Sequence, residues 1–177
     1  MASRKVNFVE GEYYHVYNRG VDKRNIFSEK SDLQRFLQSM KEFNGKEPIG
    51  SLFENSFAKE KGLGGKASKL VQFVAYCLNP NHYHFILTPL VDKGVEKFMQ
   101  RLGTGYTMYF NEKNKRSGSL FQGKFKSKHI DSNEYLLQTC AYVNLNNYDK
   151  NGTIKKSLNA SSWLEYIQPT NFNFCKK

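Results

Sequence analysis

Residues 71–88 read VQFVAYCLNPNHYHFILT, and this stretch decides the fold. Residues 71–78 are β-branched, aromatic and aliphatic, the composition of a strand. Asn79-Pro80-Asn81 is a turn signal. Residues 82–88 are a second strand, so the stretch predicts an antiparallel hairpin. His82 and His84 stand two apart on that second strand. Strand side chains alternate faces, so both imidazoles project from one face, ~6.5 Å apart at their origins, while Tyr83 points the other way. Two imidazoles so placed can grip one metal ion, and histidine is the commonest metal ligand. Such pairs also occur on ordinary surfaces, so the reading needs a third ligand and a reacting group.

Working outward, residues 12–18 (EYYHVYN) form a strand that ends at the turn signal Arg19-Gly20. Residues 31–43 carry Leu33, Phe36, Leu37 and Met40 at helical spacing, with Ser31 or Asp32 as the cap. Residues 44–70 contain five Gly and five Lys with weak periodicity. They are expected to be an inserted exposed loop, with a short helix near 51–60. Residues 94–110 form an amphipathic helix with Gly103 and Gly105 as weak points. Residues 114–118 make a basic turn, and residues 119–130 supply one bent or two short strands. A final helix opens at Asp131, with Glu134 completing a capping box, and runs to about residue 146. The order β-α-β-β-α-β followed by an extra helix suits a ferredoxin-like α+β sandwich: an antiparallel sheet with two helices on one face. The 177 residues read as one domain, with a core at about 11–150 and a tail at 151–177.

Composition limits what such a domain does. The formal net charge is +11 and aromatics make up 15% of residues. Excess Lys and Arg attract phosphate backbones, and aromatic rings stack on unpaired bases. A nucleic-acid partner is therefore favoured over an anionic membrane surface, because the basic residues are dispersed and not gathered on one amphipathic helix. Cys77, Cys140 and Cys175 are odd in number and scattered, which points to a reducing cytoplasmic setting. Neither a signal peptide nor a membrane span is expected.

The last helix supplies the missing groups. At 100° per residue, Leu136, Cys140 and Val143 cluster on one side with Leu137 nearby. Tyr142 lies opposite, flanked by Gln138 and Asn146. If this helix lies across the strand bearing His82 and His84, Asn146 would complete a two-imidazole, one-amide donor set. Such a set suits Mg²⁺ or Mn²⁺. The metal would polarise a scissile phosphate, and Tyr142 would attack phosphorus. A structural zinc site is the rival, but it wants a fourth protein ligand and no Cys stands near the pair.

The runs YCLNPNHYHFIL (76–87), GSLFQGKFKS (118–127) and YLLQTCAYVNLNN (135–147), in that order, resemble the HUH single-tyrosine transposases. The likeness is greatest to their REP-associated branch among small bacterial insertion-sequence enzymes. It spans about residues 13–167, including the terminal SSWLEY segment. The resemblance implies His82 and His84 as the histidine pair, Tyr142 as nucleophile and Asn146 as the helix-borne third ligand. It implies cleavage of single-stranded DNA beside an imperfect hairpin, with a 5′-phosphotyrosine and a released 3′-OH. Three positions depart from the family pattern: Asn79 stands where Met is frequent, Ala141 where Arg is, and Asn147 where Pro is. Relatives use the tyrosine helix either within one chain or on a partner's site, so a homodimer stays open.

The expected DNA contacts flank the site. Arg19, Lys23 and Arg24 follow the first strand, and Lys115 and Arg116 lie in the basic turn. Lys124, Lys126 and Lys128 alternate and would share one strand face. His15 and His129 are expected to be structural or DNA-facing, not ligands. Two alternatives stand beside this reading: another HUH nuclease of the replication-initiator or relaxase type, and a non-catalytic nucleic-acid-binding module on the same scaffold.

Overall fold

The hairpin forms where the strand composition placed it. In the computed structural model, which describes residues 6–50, 52, 68–149, 151–153, 158–167 and 175, β2 (Val71–Asn79) pairs antiparallel with β3 (His82–Pro89). The register sets Asn79 opposite His82 and Cys77 opposite His84. The expected first strand is β1 (Tyr13–Arg19), which joins the other side of β3. Two further strands, β4 (Lys126–Ile130) and β5 (Ala160–Ser161), complete the sheet in the order β4-β1-β3-β2-β5. The first four strands in that order, all antiparallel, are the ferredoxin-like sheet. β5 is a short edge strand that the sequence reading did not foresee.

Residues 119–125 do not make a strand of their own. They follow the end of β1 through single contacts: Val21 N–H donates to Leu120 O (3.0 Å) and Gln122 N–H to Arg19 O (2.9 Å). The strand proper begins only at Lys126.

One face of the sheet carries Tyr14, Val16, Phe73, Leu78, Tyr83, Phe85 and Leu87. It buries them against α1 (Lys30–Glu42) and α2 (Gly94–Lys113). The helical stripe read from Leu33, Phe36 and Met40 is the buried face of α1. Its cap is Glu29, not Ser31 or Asp32. Asp32 sits at the third helical position and reaches back to the Glu29 N–H, while Glu29 accepts from the Asp32 N–H, a reciprocal capping box. α2 runs unbroken to Lys113 despite its glycines. Gly105 is needed there: a β-carbon would lie 2.6 Å from the Phe43 ring that packs on this point of the helix.

Asp32 also locks the two helices together. Its buried carboxylate accepts from Ser28 N–H (2.8 Å), from the Tyr109 hydroxyl (3.2 Å) and from Lys113 Nζ (2.5 Å). Asp32→Ala leaves these donors unanswered and is expected to cost about 2 kcal/mol, read from a urea unfolding midpoint.

The opposite face of the sheet meets α3 (Asn133–Asn144). Ala75, Cys77, Ile86 and Ile130 form a small apolar bed against Leu136, Cys140 and Val143. α3 is capped by Ser132, whose Oγ accepts from Tyr135 N–H (3.2 Å), one residue later than the expected Asp131. It ends at Asn144, so Asn146 lies in the following turn. Leu137 is 72% exposed, because the stripe α3 lays on the sheet is too narrow to include it.

The insert is closed off at its root. Lys46 N–H donates to Ser68 O, Leu70 N–H to Asn44 O, and the Asn44 amide pairs with both backbone groups of Val71. The short helix expected near 51–60 lies, apart from Leu52, outside the described residues. Beyond α3, β5 and a last helix, α4 (Trp163–Ile167), return along β2. Among the described residues no helix is long and apolar enough to cross a membrane.

Candidate active site

The strand register lays out the α3 side of the sheet in rows. One row runs Arg19, His82, Asn79. The next runs Lys126, Tyr17, His84, Cys77. The third runs Lys128, His15, Ile86, Ala75. α3 covers the apolar part of this face, and the polar rows are left beside it. There they line a cavity of about 400 Å³ with Tyr17, Arg19, Lys23, His82, His84 and Lys126 in its wall. Amphipathicity thus decides the position of the site: the helix settles on Ile86, Ala75 and Cys77, and the two histidines stay at its margin.

Each imidazole is held by its second nitrogen. His82 Nδ1 lies 2.6 Å from Asn81 Oδ1. An amide oxygen only accepts, so Nδ1 carries the proton and Nε2 is the lone-pair nitrogen. His84 Nδ1 lies 2.9 Å from His15 Nε2. Burial, with His15 and His82 close by, lowers the His84 pKa to about 3. Burial first and the Lys128 charge second lower that of His15 to about 4. Both rings are therefore neutral near pH 7, one donating and the other accepting. Neutral imidazole is the form that binds a metal, and a donating Nδ1 on His84 leaves Nε2 as its lone-pair nitrogen. The two site rings stand edge to face with centroids 5.2 Å apart.

Asn146 reaches the same place from the turn after α3. Its Oδ1 lies 3.3 Å from His82 Nε2 and accepts from Asn79 Nδ2 at 2.8 Å. This turn is tied down by the C-terminal segment: Ser162 Oγ donates to Asn144 Oδ1 (2.6 Å), while Ser162 N–H donates to Tyr76 O (2.9 Å). Tyr142, 53% exposed, lies off the apolar stripe of α3, on the side of Gln138, and still reaches the sheet. Its ring stands edge-on to His84 and His15, with centroids 5.6 and 6.2 Å away. It borders a second hollow of about 280 Å³ with His15, Tyr135, Gln138 and Thr139.

Among the described residues no group of three His, Cys, Asp or Glu side chains is placed to hold a metal ion. The convergent donors are instead two imidazoles and amide oxygen. Such a set fits a cation that keeps waters in its shell, Mg²⁺ or Mn²⁺.

The basic residues divide. Arg19, Lys23 and Lys126 line the cavity. Lys23 is carried there by a loop in which Asp22 and Lys23 both adopt left-handed backbone (φ 54° and 59°). The loop is pinned to the hairpin turn by Gly20 N–H to Asn81 O (2.9 Å) and by the Asn81 amide to Lys23 O (3.2 Å). Lys128 shares the face with Lys126 and lies over the Tyr135 ring, 4.7 Å from its centroid. Lys124 sits in the bend before β4, so the alternating set is a pair. Arg24 donates to Val21 O, and Lys115 is exposed in the turn after α2. Arg116 is held by Asn111 and Ser119 O and covers the Phe110 ring. His129 pairs with Glu12 on the sheet's other face, opposite Tyr14.

In the sequence Asn79 and Asn81 read as turn residues, and nothing local pairs His15 with His84. Hairpin register alone would have found Asn79, directly opposite His82. Tyr17, in the row of His84, follows from the same alternation.

If Arg19, Lys23 and Lys126 bind phosphates, replacing all three by Ala should flatten the log–log salt dependence of single-strand binding by about 2 units. Fluorescence anisotropy from 50 to 300 mM salt reads the slope, with the stated range roughly spanning physiological ionic strength.

Residues 58–146 match the family of IS200-like transposases. That span takes in the hairpin, α2, β4, Tyr142 and Asn146. Among solved structures the chain is similar to a REP-associated tyrosine transposase bound to a REP hairpin. The identity is 12%, covering 100% of this chain and 98% of that one, with a TM-score of 0.57, a likeness of fold. It is also similar to a protein from Deinococcus radiodurans R1 described as a candidate transposase. There the identity is 13%, over 86% of this chain and 99% of that one, with a TM-score of 0.41. No curated protein matches the chain.

Proposed function

The chain belongs to the IS200-like transposase family, and on that premise we propose that it cuts and rejoins single-stranded DNA through a covalent bond between Tyr142 and a 5′ phosphate. The observation that carries the reading is convergence. Tyr142 stands beside His84, and Asn146 Oδ1 comes within 3.3 Å of His82 Nε2, from elements far apart in the chain. A binding module gains nothing from that arrangement.

His82, His84 and Asn146 would hold Mg²⁺ or Mn²⁺. When bound, the ion supplies Lewis-acid polarisation of the scissile phosphate. The chain's own residues do the rest. Arg19, Lys23 and Lys126 draw the DNA backbone along the cavity. The Tyr142 oxygen forms a bond to phosphorus as the bond to the 3′ oxygen breaks. The phenol proton passes to water, and the departing oxygen takes a proton to become the 3′-OH. One phosphodiester is exchanged for another, so the bond energy is conserved and a second 3′-OH can reverse the step. The hairpin-bound relative supports a single strand flanked by a hairpin as the substrate.

Polarity tests this. With a 3′-labelled single strand and Mn²⁺, the label should migrate with the protein on a denaturing gel. A 5′ label should appear in a free fragment, and EDTA should abolish both. A 5′ label that follows the protein would contradict the reading.

A further inference from the structure

Asn79 faces the site from β2, directly opposite His82, and is buried. Its terminal amide atom lies 2.8 Å from Asn146 Oδ1 and 3.3 Å from His82 Nε2, and those two atoms are 3.3 Å from each other. The three atoms form a nearly equilateral triangle. Donors ~2.1 Å from an octahedral cation stand ~3.0 Å apart at neighbouring positions, so the triangle has the size of one face of such a shell.

A carboxamide presents either an N–H₂ or a carbonyl oxygen at almost the same point, by a half-turn of its last torsion. With its Nδ2 in the triangle, Asn79 donates to Asn146 Oδ1. With its oxygen there, two carbonyl oxygens would face each other at 2.8 Å and repel, unless a cation lay between them. Resting on the metal reading above, we infer that Asn79 is a further ligand of the divalent cation, its Oδ1 completing a set with Asn146 Oδ1, His82 Nε2 and His84. The site then holds two amide oxygens and two imidazoles from the protein. Such a mixture takes Mn²⁺ readily and leaves positions for water and phosphate oxygen.

Isothermal titration with Mn²⁺ alone, on the intact chain and its variants, separates a ligand from a hydrogen-bond donor. Asn79→Ala should weaken Mn²⁺ binding about tenfold. Asn79→Asp keeps an oxygen at the position and should bind Mn²⁺ at least as tightly as the native protein. A donor role predicts the reverse, because a carboxylate would repel Asn146 Oδ1. Equal losses in Asn79→Asp and Asn79→Ala, or native affinity in Asn79→Ala, would overturn the inference. If His82→Ala still loses Mn²⁺ in either case, the metal reading itself survives. A native protein that binds no Mn²⁺ would overturn both. Circular dichroism checks that each variant folds. Should Asn79→Asp unfold, the Asn79 side-chain amide resonances of ¹⁵N-labelled native protein serve instead. They should move on adding Mg²⁺, and an unmoved pair would overturn the inference.

Discussion

Tyr142→Phe is expected to abolish the covalent protein–DNA species completely while leaving fold and DNA affinity nearly unchanged. The substitution removes one oxygen. Tyr142 is 53% exposed and its ring packs edge-on against His84 and His15. Phenylalanine keeps those ring contacts, so stability should change by no more than about 0.5 kcal/mol. Attack on phosphorus has no substitute for the phenolic oxygen, because phenylalanine carries no nucleophile. Denaturing electrophoresis with a labelled hairpin-plus-single-strand substrate and Mn²⁺ reads the adduct. Fluorescence anisotropy on the same substrate reads the affinity. Tyr135, on the same helix and part of the apolar contact with the sheet, and Tyr148 beyond it are the next tyrosines to replace if the adduct persists.

The second large effect is expected from the histidines. His82→Ala or His84→Ala should lower metal-dependent cleavage by at least about a thousandfold, since Lewis-acid polarisation of a phosphate is worth several kcal/mol. The two variants should differ in stability. His82 is partly exposed at the mouth of the hairpin, where Nδ1 donates to Asn81 Oδ1 and Nε2 lies 3.3 Å from Asn79 Nδ2. His84 is buried, and its loss leaves His15 Nε2 without its partner, a cost of about 1–2 kcal/mol. Cleavage assays run beside thermal melts separate the two effects. Native rates in either folded variant would remove the histidines from the mechanism.

Much of this molecule was legible in the chain because strand periodicity is local. The hairpin of residues 71–88 fixes which side chains share a face, and His82 and His84 follow from it without any tertiary information. The apolar stripe of α1 and its partner on α2 are likewise read from spacing. Tyr142 was harder. Its angular position on α3 sets it opposite the apolar stripe, yet its ring reaches His84 and His15 on the polar rows of the sheet. Where α3 seats Val143 on Ile86, Ala75 and Cys77 is a packing fact that no helical wheel contains.

Other parts lay beyond local pattern. β5 and α4 are short, and they exist because Ser162 and Glu165 bond to Tyr76 on β2, with the Tyr76 hydroxyl 2.8 Å from Glu165 Oε1. Only a completed sheet edge offers those partners. Asn79 reads as a turn residue in any sequence, and its neighbours across the hairpin and on the turn after α3 give it another setting. Alternation in the sequence extends the strand back to Lys124, but the chain bends around Gly123, which has φ 69°, and β4 begins only at Lys126.

The proposed mechanism turns on one bond, between the Tyr142 oxygen and a DNA 5′ phosphate. The most direct measurement is to form the covalent complex with Mn²⁺ and a short single strand, digest it with protease and nuclease, and locate the nucleotide by mass spectrometry. The expected result is a nucleotide attached to Tyr142, in the peptide that also contains Asn146. A nucleotide on any other residue, or no covalent species under conditions where the strand is cut, would contradict it.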